Sequence, residues 1–318
     1  MLVREDYKSF RGTYKCYIKC VVFDLDNTLW DGVLGDDSDV FLNLRVVNFI
    51  EELDKRGILC SIASKNEFEP AWNKLKEFGL SEYFLYPQIN WQPKSRSICQ
   101  IALDLNISPD TIAFIDDSSF ERSEVRVNIP QVLVFSEVHH RILGSSQFNP
   151  RLSKDSHKRR LYYLSEMQRN VVSKEFIDYD EFLRSCDIKL EFLDVDYDRC
   201  QELVDRINQY TTGTKEVTTG KCFRIEDKFG DYGIVGYFRL DNGILMDYNM
   251  SCRVAGKRVE ETVFYLLGYP VIRFSDTNRN KPMRDKLISI GYKLPDGTIN
   301  KLLPDPNVIN VLNPDGIY

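Results

Sequence analysis

A short apolar run that ends in two aspartates is the feature that most constrains how this chain folds. Residues 20–23 are Cys-Val-Val-Phe, and Asp24 and Asp26 follow them. Such a run is typical of a strand that is buried on both faces of a parallel sheet. Side chains two positions apart point to the same side of a strand. The run therefore predicts a central strand with two carboxylates at its carboxyl end, the edge at which open α/β sheets bind ligands.

The first half of the chain alternates between strand and helix patterns. Apolar segments predict strands at 20–25, 58–63, 111–115 and 131–135, with a further short strand within 84–89. Amphipathic segments between them predict helices at 44–55, 71–78, 95–106 and 120–127. This alternation predicts an α/β fold with a right-handed parallel sheet.

The chain is long enough for two domains, and its patterns change after residue 145. We predict an α/β domain over 1–145, a helical connector over 146–186 and a smaller α+β domain over 187–318. The last of these is predicted to contain strands at 188–193 and 271–274, helices at 199–210, 260–267 and 283–290, and a hairpin of 233–240 with 244–250 around an Asn-Gly turn.

Composition and charge argue against some classes of partner. The 318 residues carry a net charge of −6, which disfavours binding to nucleic acid or to a membrane surface. No apolar run is long enough to span a membrane, and the first residues are charged rather than apolar. Eight cysteines without a CxxC pair are too few for a disulfide scaffold. We therefore expect a cytoplasmic protein with neither nucleic-acid nor membrane partners.

Further polar residues follow the other predicted strands. They are Ser64, Lys94, Asp116 and Asp117, and the carboxyl ends of parallel strands meet at one edge, so we expect them near Asp24. Clustered carboxylates suit a hard divalent cation such as Mg²⁺. A lysine and a hydroxyl suit contact with phosphoryl oxygens. The set predicts a Mg²⁺-dependent site for phosphoryl transfer.

This set resembles the active site of the haloacid dehalogenase (HAD) superfamily of phosphatases, over about residues 18–140. The resemblance implies that Asp24 is the nucleophile that forms an aspartyl-phosphate, and that Asp26 is the general acid/base. It also implies phosphate contacts from Thr28, Ser64 and Lys94, and a Mg²⁺ held by Asp24, the backbone carbonyl of Asp26, and Asp116, with Asp117 as a further ligand. The short gaps between these motifs leave no room for a cap domain, so an open site is expected.

A cysteine in the second half is a candidate acyl acceptor. Cys252 lies between a predicted strand and a predicted helix, with Arg253, Lys257 and Arg258 within six positions. Positive neighbours and a helix start lower the pKa of a thiol, and a thiolate is a competent nucleophile. The three histidines, His139, His140 and His157, are far away in sequence, so no Cys–His pair is visible. The alternative interpretation is a structural cysteine.

The same segment, Arg253-Val-Ala-Gly256-Lys-Arg258, resembles the pyrophosphate-binding turn of GNAT acyltransferases. The resemblance implies that Arg253, Gly256 and Arg258 contact an acyl or pantetheine group. Arg258 stands where that turn has a small residue, which departs from the pattern for ordinary acetyl-CoA binding.

Taken together, the two halves resemble the FkbH-like family, in which a HAD phosphatase is fused to a GNAT-like domain. The matching segments are 20–30, 114–122, 229–236 and 251–254, and the resemblance runs over about 18–295. It implies a glyceryl transferase/phosphatase acting on 1,3-bisphosphoglycerate. In that scheme Cys252 captures the glyceryl group as a thioester, the HAD site removes the remaining phosphate, and an acyl carrier protein receives the group on its pantetheine thiol.

Three alternatives remain open from the sequence. The first is a plain capless phosphatase whose second domain only positions the substrate. The second is a scaffold with an inactive HAD site, which the intact Asp24, Asp26, Lys94 and Asp116 disfavour. The third is an acyl transferase that modifies a saccharide or a peptide.

Overall fold

A computed structural model describes residues 17–36, 39–213 and 215–317. The chain divides into two compact units. The first comprises residues 1–150 and 156–161, and the second comprises 151–155 and 162–318. Each unit has its own sheet and its own hydrophobic core.

The predicted connector, 146–186, is divided between these two units. It contains two helices, Arg159–Ser173 and Tyr179–Ser185. Residues 162–186 of this segment belong to the second unit. A functional division at residues 145 and 187 stays a prediction.

The first unit is built on a five-stranded parallel sheet. The unit contains seven described strands, five in this sheet and two in a separate hairpin of β2 with β3. They are β1 (Cys20–Phe23), β2 (Trp30–Asp31), β3 (Phe41–Leu42), β4 (Leu59–Ser64), β5 (Gln88–Ile89), β6 (Ile112–Ile115) and β7 (Leu133–Phe135). Its helices are α1 (Leu44–Lys55), α2 (Phe68–Glu77), α3 (Lys94–Asp104), α4 (Ser119–Asn128) and α5 (His140–Gly144). The sheet order is β5-β4-β1-β6-β7, with every neighbouring pair parallel, which confirms the predicted α/β class.

Strand β1 lies at the centre of this sheet because its side chains are apolar on both faces. All four residues are fully buried, and Phe23 is aligned with Ile62 of β4 and Ile115 of β6. Helix α1 covers the sheet with an apolar stripe of Val46, Phe49, Ile50 and Leu53. Burying side chains of this size stabilises the fold by about 1.5–3 kcal/mol each. The carboxyl end of β1 is thereby held rigidly between two neighbouring strand ends.

No separate domain is inserted near the ends of these strands in the part of the chain that the structure describes. Between β1 and β4 lie only the two-stranded hairpin of β2 with β3 and helix α1. Between β4 and β6 lie α2, a 3₁₀ turn at Ser81–Tyr83, β5, α3 and a second 3₁₀ turn. Over the residues of the first unit that the structure describes, no cap covers the strand ends.

The second unit contains a six-stranded mixed sheet. Its helices are α6 (Arg159–Ser173, whose first turn belongs to the first unit), α7 (Tyr179–Ser185), α8 (Tyr197–Arg206), α9 (Val259–Leu266) and α10 (Lys281–Ser289). Its strands are β8 (Ile188–Asp194), β9 (Lys221–Asp227), β10 (Gly230–Asp241), β11 (Ile244–Met250), β12 (Val271–Ile272), β13 (Tyr292–Lys293), β14 (Thr298–Ile299) and β15 (Ile309–Val311). The order is β12-β11-β10-β9-β8-β15, antiparallel from β8 to β11 and parallel at both ends.

The turn of the predicted hairpin has the expected conformation. Asn242 and Gly243, between β10 and β11, have φ angles of +48° and +76°. Positive φ at both central positions matches the twist of the paired strands, and this is why Asn-Gly favours such turns. Among the described residues, no helix is long and apolar enough to cross a membrane.

Candidate active site

Three aspartates converge at the carboxyl end of the first sheet. Asp24 follows β1, and Asp116 and Asp117 follow the neighbouring strand β6. One carboxylate oxygen from each lies within 4.8 Å of the other two. Asp24 and Asp116 are buried, whereas Asp117 is exposed. The structure thus brings together three of the predicted metal ligands, with one side of the cluster facing solvent.

Lys94 lies between two of these carboxylates. It is the first residue of α3 and is buried, with only 3% of its surface exposed. Its Nζ forms an ion pair with Asp24, lies 3.3 Å from Asp116 Oδ2, and donates to the backbone carbonyl of Ala63 at 2.7 Å. One ammonium is therefore shared by two buried acids.

Burial determines the protonation behaviour of both acids. It raises the pKa of Asp24 above its ordinary value, and the charge and hydrogen bond of Lys94 oppose this shift. Burial and the negative charge of Asp24 together raise the pKa of Asp116 to about 6. In both acids, burial disfavours the ionised form by more than the charge of Lys94 favours it.

The donor set fits a hard divalent cation. Asp116 Oδ1 accepts a hydrogen bond from the backbone N–H of Ser118 at 2.8 Å. Its buried Oδ2 has no hydrogen bond of normal geometry among the described residues, with Lys94 Nζ at 3.3 Å. Carboxylate oxygens are the ligands that Mg²⁺ prefers in proteins. Asp24, Asp116 and Asp117 are the residues that could hold it.

Two hydroxyl groups flank the carboxylates. Ser64 is the last residue of β4 and Thr28 follows β1, and both are buried. Ser64 Oγ accepts from Asn66 Nδ2 at 3.2 Å, and Thr28 Oγ1 accepts from the backbone N–H of Asp117 at 3.2 Å. A hydroxyl that accepts one hydrogen bond keeps its own proton for donation. Each hydroxyl can therefore donate its own proton to an anion bound nearby.

Asp26 lies outside the cluster of three aspartates. Its Oδ1 accepts from Trp30 Nε1 at 2.8 Å and from the backbone N–H of Leu34 at 3.0 Å, and its Oδ2 accepts from Asn66 Nδ2 at 2.9 Å. These three donors fix the orientation of the carboxylate. The predicted Mg²⁺ ligand from Asp26 is its backbone carbonyl rather than its carboxylate, and that role stays a prediction.

Two residues of the site were not assigned a role from the sequence. Asn66 bridges Asp26 and Ser64, and Arg122 donates to the backbone carbonyls of Asp116 at 2.8 Å and Asp117 at 2.6 Å. The sequence carries a signal for Asn66, because residues two positions apart at a strand end face the same side and Ser64 is a predicted site residue. Arg122 lies in the matching segment 114–122, but nothing local predicts which carbonyls it reaches.

The predicted cysteine site belongs to the second unit. Cys252 is the first residue of a 3₁₀ turn, Cys252–Val254, that follows β11, and α9 begins at Val259. The succession of strand, turn and helix is therefore as expected. The cysteine is partly exposed, so a ligand from solvent can reach this turn.

Two cations close to Cys252 in sequence contact other groups. The guanidinium of Arg253 lies over the ring of Tyr162, with its carbon 4.6 Å from the ring centroid. Lys257 Nζ donates to Glu166 Oε1 at 2.9 Å, and burial lowers the pKa of Lys257. Both side chains are buried. The structure thus shows what Arg253 and Lys257 contact, namely Tyr162 and Glu166. The proposed lowering of the Cys252 thiol pKa by these cations stays a prediction.

Arg258 and Gly256 shape the turn before α9. Arg258 has a φ of +62° and donates to both carboxylate oxygens of Asp180, each at 3.0 Å. Gly256 has a φ of +78°, and its Cα faces open space. A phosphate bound by Arg258 would compete with Asp180 for its guanidinium. Contact of Arg253, Gly256 and Arg258 with a pantetheine group therefore stays a prediction.

Several solved structures are similar to part of this chain, whereas no family model and no curated protein matches it. The N-terminal part of a Bacteroides fragilis protein, which contains a phosphatase domain complexed with Mg, is 29% identical and covers 46% of this chain and 40% of its own, with a TM-score of 0.35. A Moraxella catarrhalis 3-deoxy-D-manno-octulosonate 8-phosphate phosphatase, in complex with magnesium, phosphate and KDO, is 16% identical and covers 53% and 92%, with a TM-score of 0.29.

A Legionella pneumophila protein assigned to subfamily III A of the HAD superfamily hydrolases is 14% identical and covers 49% of this chain and 86% of its own, with a TM-score of 0.30. Of these three neighbours, one contains a phosphatase domain, one is a phosphatase, and the third is a hydrolase of the HAD superfamily. The first two hold magnesium. This chain spans less than half the length of the Bacteroides structure that it matches.

Proposed function

We propose that the first unit is a Mg²⁺-dependent phosphatase of the HAD type. The observation that supports this most is the convergence of Asp24, Asp116 and Asp117 at the carboxyl edge of a parallel sheet, with Lys94 beside the first two. Asp24 and Asp116 would hold the Mg²⁺, with Asp117 and the backbone carbonyl of Asp26 as further ligands. When bound, the cation would offset the negative charge of the phosphoryl group and of the acids around it.

The proposed reaction uses Asp24 and Asp26 in separate roles. A carboxylate oxygen of Asp24 would form a bond to phosphorus while the bond from phosphorus to the substrate oxygen breaks. Asp26 would give a proton to the departing oxygen and then take one from the water that hydrolyses the aspartyl-phosphate. The three donors on Asp26 support this role, because they hold its carboxyl group in one orientation.

The remaining residues would position the phosphoryl group. Lys94 would shift from compensating Asp24 to contacting a phosphoryl oxygen as negative charge moves onto that group. The hydroxyls of Ser64 and Thr28 would donate to the other oxygens, since their acceptor sides are already used by Asn66 and by the backbone of Asp117.

Removal of Mg²⁺ by EDTA is expected to abolish phosphate release, and added Mg²⁺ should restore it. The melting temperature of the protein gives a readout that does not depend on activity. A bound cation should raise it, because the cation relieves the repulsion among the three aspartates. At 100 times its Kd, Mg²⁺ should stabilise the fold by about 2.7 kcal/mol. Asp116→Asn should lose most of this shift in the melting temperature, while the exposed Asp31→Asn should keep it. An equal shift in both variants would place the cation elsewhere.

Asn66→Ala is expected to lower kcat for phosphate release about tenfold, because Asp26 loses a donor that orients it and Ser64 loses one of its own. KM should change less, since Asn66 acts through these two residues rather than on the substrate. Steady-state kinetics measure both constants, and the exposed Asn73→Ala on α2 is the matched control. An unchanged kcat would show that Asn66 does not position Asp26.

We further propose that the whole chain is a glyceryl transferase/phosphatase. The support is the resemblance to the FkbH-like family together with a partly exposed Cys252 at a turn after β11. The thiolate of Cys252 would attack the acyl carbon of 1,3-bisphosphoglycerate, forming a carbon–sulfur bond as the bond to the acyl phosphate breaks. Inorganic phosphate leaves, and the other phosphate stays on the glyceryl group.

The later steps would use the phosphatase site and a carrier. Hydrolysis at Asp24 would remove the remaining phosphate, and the pantetheine thiol of an acyl carrier protein would then take the glyceryl group from Cys252. Mass spectrometry of a candidate carrier protein, incubated with the enzyme, Mg²⁺ and 1,3-bisphosphoglycerate, tests this sequence of steps. A glyceryl adduct on the carrier is expected, and an unmodified carrier in the presence of released phosphate contradicts the transfer.

The second candidate function is a plain capless phosphatase. One observation favours it: Arg253, Lys257 and Arg258 contact Tyr162, Glu166 and Asp180. These contacts use charge that would otherwise support a reactive thiolate. This candidate predicts phosphate release that depends neither on Cys252 nor on a carrier protein.

A further inference from the structure

Two buried cysteines of the second unit lie next to each other and have no part in the functions proposed above. Cys200 is on the buried face of α8, Cys222 is the second residue of β9, and both side chains are completely buried. They belong to one cluster of buried side chains with Val204 and Tyr237. The fold therefore brings together two thiols that are 22 positions apart in the sequence.

A hydrogen bond joins the two thiols directly. It raises the pKa of Cys200 and lowers the pKa of Cys222, as expected when Cys200 Sγ donates and the Cys222 sulfur accepts. Cys222 Sγ in turn donates to the backbone carbonyl of Asp194 at 3.2 Å. Two sulfur atoms that share a hydrogen bond are in contact, so a small shift of α8 towards β9 brings them to the bond length of a disulfide, about 2.05 Å.

The surroundings of the pair favour a covalent bond over a metal site. Among the residues that the structure describes, no third atom from a histidine, cysteine or carboxylate joins the two thiols at metal-binding spacing. The partly buried side chains that pack against their cluster are apolar, and they are Leu193, Val195, Val217 and Ile234. A structural zinc ion takes four nitrogen, sulfur or oxygen ligands, and this environment does not supply them.

The first unit contains an instructive contrast. Cys20 of β1 and Cys60 of β4 lie on neighbouring parallel strands, but the register aligns Cys20 with Leu59 and Cys60 with Val21. Because successive side chains alternate between the two faces of a sheet, these two thiols point to opposite faces. Two cysteines on adjacent strands are therefore not sufficient for a bond, whereas Cys200 and Cys222 are in direct contact.

We propose that Cys200 and Cys222 form a reversible disulfide when the protein meets hydrogen peroxide. The Cys222 sulfur attacks one peroxide oxygen, the O–O bond breaks, and a sulfenic acid forms as one water leaves. The Cys200 sulfur then attacks the sulfur of that sulfenic acid, forming the S–S bond and releasing a second water. Two thiols are thereby oxidised by two electrons while one peroxide is reduced to two waters, and dithiothreitol reverses the reaction.

The disulfide would close a loop that contacts the end of β11, two residues before Cys252. Within this loop, the Thr212 N–H donates to the carbonyl of Tyr248, and the Met250 N–H donates to the carbonyl of Tyr210, both at 2.9 Å. A closed loop has less freedom to open locally. The amide hydrogens of Thr212 and Met250 should therefore exchange with solvent more slowly in the oxidised protein.

Peptide mapping of the full chain after treatment with hydrogen peroxide tests the proposal. Cleavage by trypsin places the two cysteines on separate short peptides, 200–206 and 222–224. These peptides should appear as one linked species, lighter than their sum by two hydrogen atoms, and dithiothreitol should separate them. Cys222→Ala should lose the linked species. Cys99→Ala, at an exposed position of α3, is the matched control and should keep it.

The melting temperature shows whether the bond fits the folded protein. Closing a loop of this length should raise it by roughly 5–10 °C, and Cys222→Ala should show no rise after the same treatment. Oxidation of the exposed Cys99 without any linked species would overturn the inference. An unchanged or lower melting temperature of the linked protein, or equal linkage of Cys200 to other cysteines, would contradict it as well. These readings come from the unaltered protein, so they hold even if Cys222→Ala fails to fold.

Discussion

Asp24→Asn is expected to stop phosphate release, lowering kcat by about 10⁴-fold, as removal of a nucleophile does in other enzymes. An amide cannot form the bond to phosphorus that the Asp24 carboxylate is proposed to form. The matched control is Asp31→Asn, an exposed aspartate of β2 that is not part of the cluster. Phosphate release measured with both variants provides the comparison. Normal release by Asp24→Asn would eliminate the aspartyl-phosphate mechanism.

The same variant should trap an intermediate. With 1,3-bisphosphoglycerate, Asp24→Asn is expected to accumulate enzyme whose glyceryl adduct still carries its phosphate, because the proposed second site remains intact. Intact mass spectrometry distinguishes this adduct from the dephosphorylated one. An adduct without phosphate would show that another residue removes it.

The loss of activity should not come from unfolding. Burial raises the pKa of Asp24, so its ionised form at neutral pH is less favourable in the folded protein than in the unfolded chain. A neutral amide of the same shape removes this cost. Lys94 retains an ion-pair partner, because Asp116 Oδ2 lies 3.3 Å from its Nζ. The melting temperature of Asp24→Asn without Mg²⁺ should therefore equal or exceed that of the unaltered protein.

Cys252→Ser is expected to abolish the covalent glyceryl adduct. A serine hydroxyl at neutral pH is a far weaker nucleophile than a thiolate, and no neighbouring base was found from the sequence. Intact mass after incubation with 1,3-bisphosphoglycerate measures the adduct. Cys99→Ser, on the exposed side of α3, is the matched control and should keep the full adduct. A glyceryl or phosphoglyceryl adduct on Cys252→Ser would show that another residue carries the group.

Phosphate release and carrier loading by Cys252→Ser together distinguish the two candidate functions. Cys252→Ser should still hydrolyse 3-phosphoglycerate within about twofold of the unaltered protein, because Cys252 and the aspartate cluster belong to different units. With 1,3-bisphosphoglycerate and a carrier protein, a transferase loses carrier loading in this variant. A plain phosphatase shows no carrier loading in either protein.

Local patterns were sufficient for the elements that carry the proposed phosphatase site. Helix α1 runs from Leu44 to Lys55 as predicted, because its apolar residues recur at helical spacing and Asn43 caps its first turn through the backbone N–H of Arg45. Strand β1 was equally clear from its unbroken apolar run. In both cases the interactions that determine the element lie within a few residues of one another.

Elements that depend on distant partners were missed. Strand β9, Lys221–Asp227, has charged residues at its start and end, and it is a strand because β8 and β10 pair with it on both sides. Strand β15 has three residues and exists only beside β8, more than a hundred positions earlier. Pairing of this kind is a tertiary effect, so no local pattern predicts it.

By itself, the sequence determined that Asp24, Ser64 and Asp116 share one edge, because parallel strands place their carboxyl ends together. Only the tertiary structure decided which groups each side chain contacts. Near Cys252, the cation Arg258 pairs with Asp180, 78 positions earlier in the chain. The sequence shows which charged residues lie near Cys252 along the chain. Their ion-pair partners depend on which opposite charges the fold brings close to them.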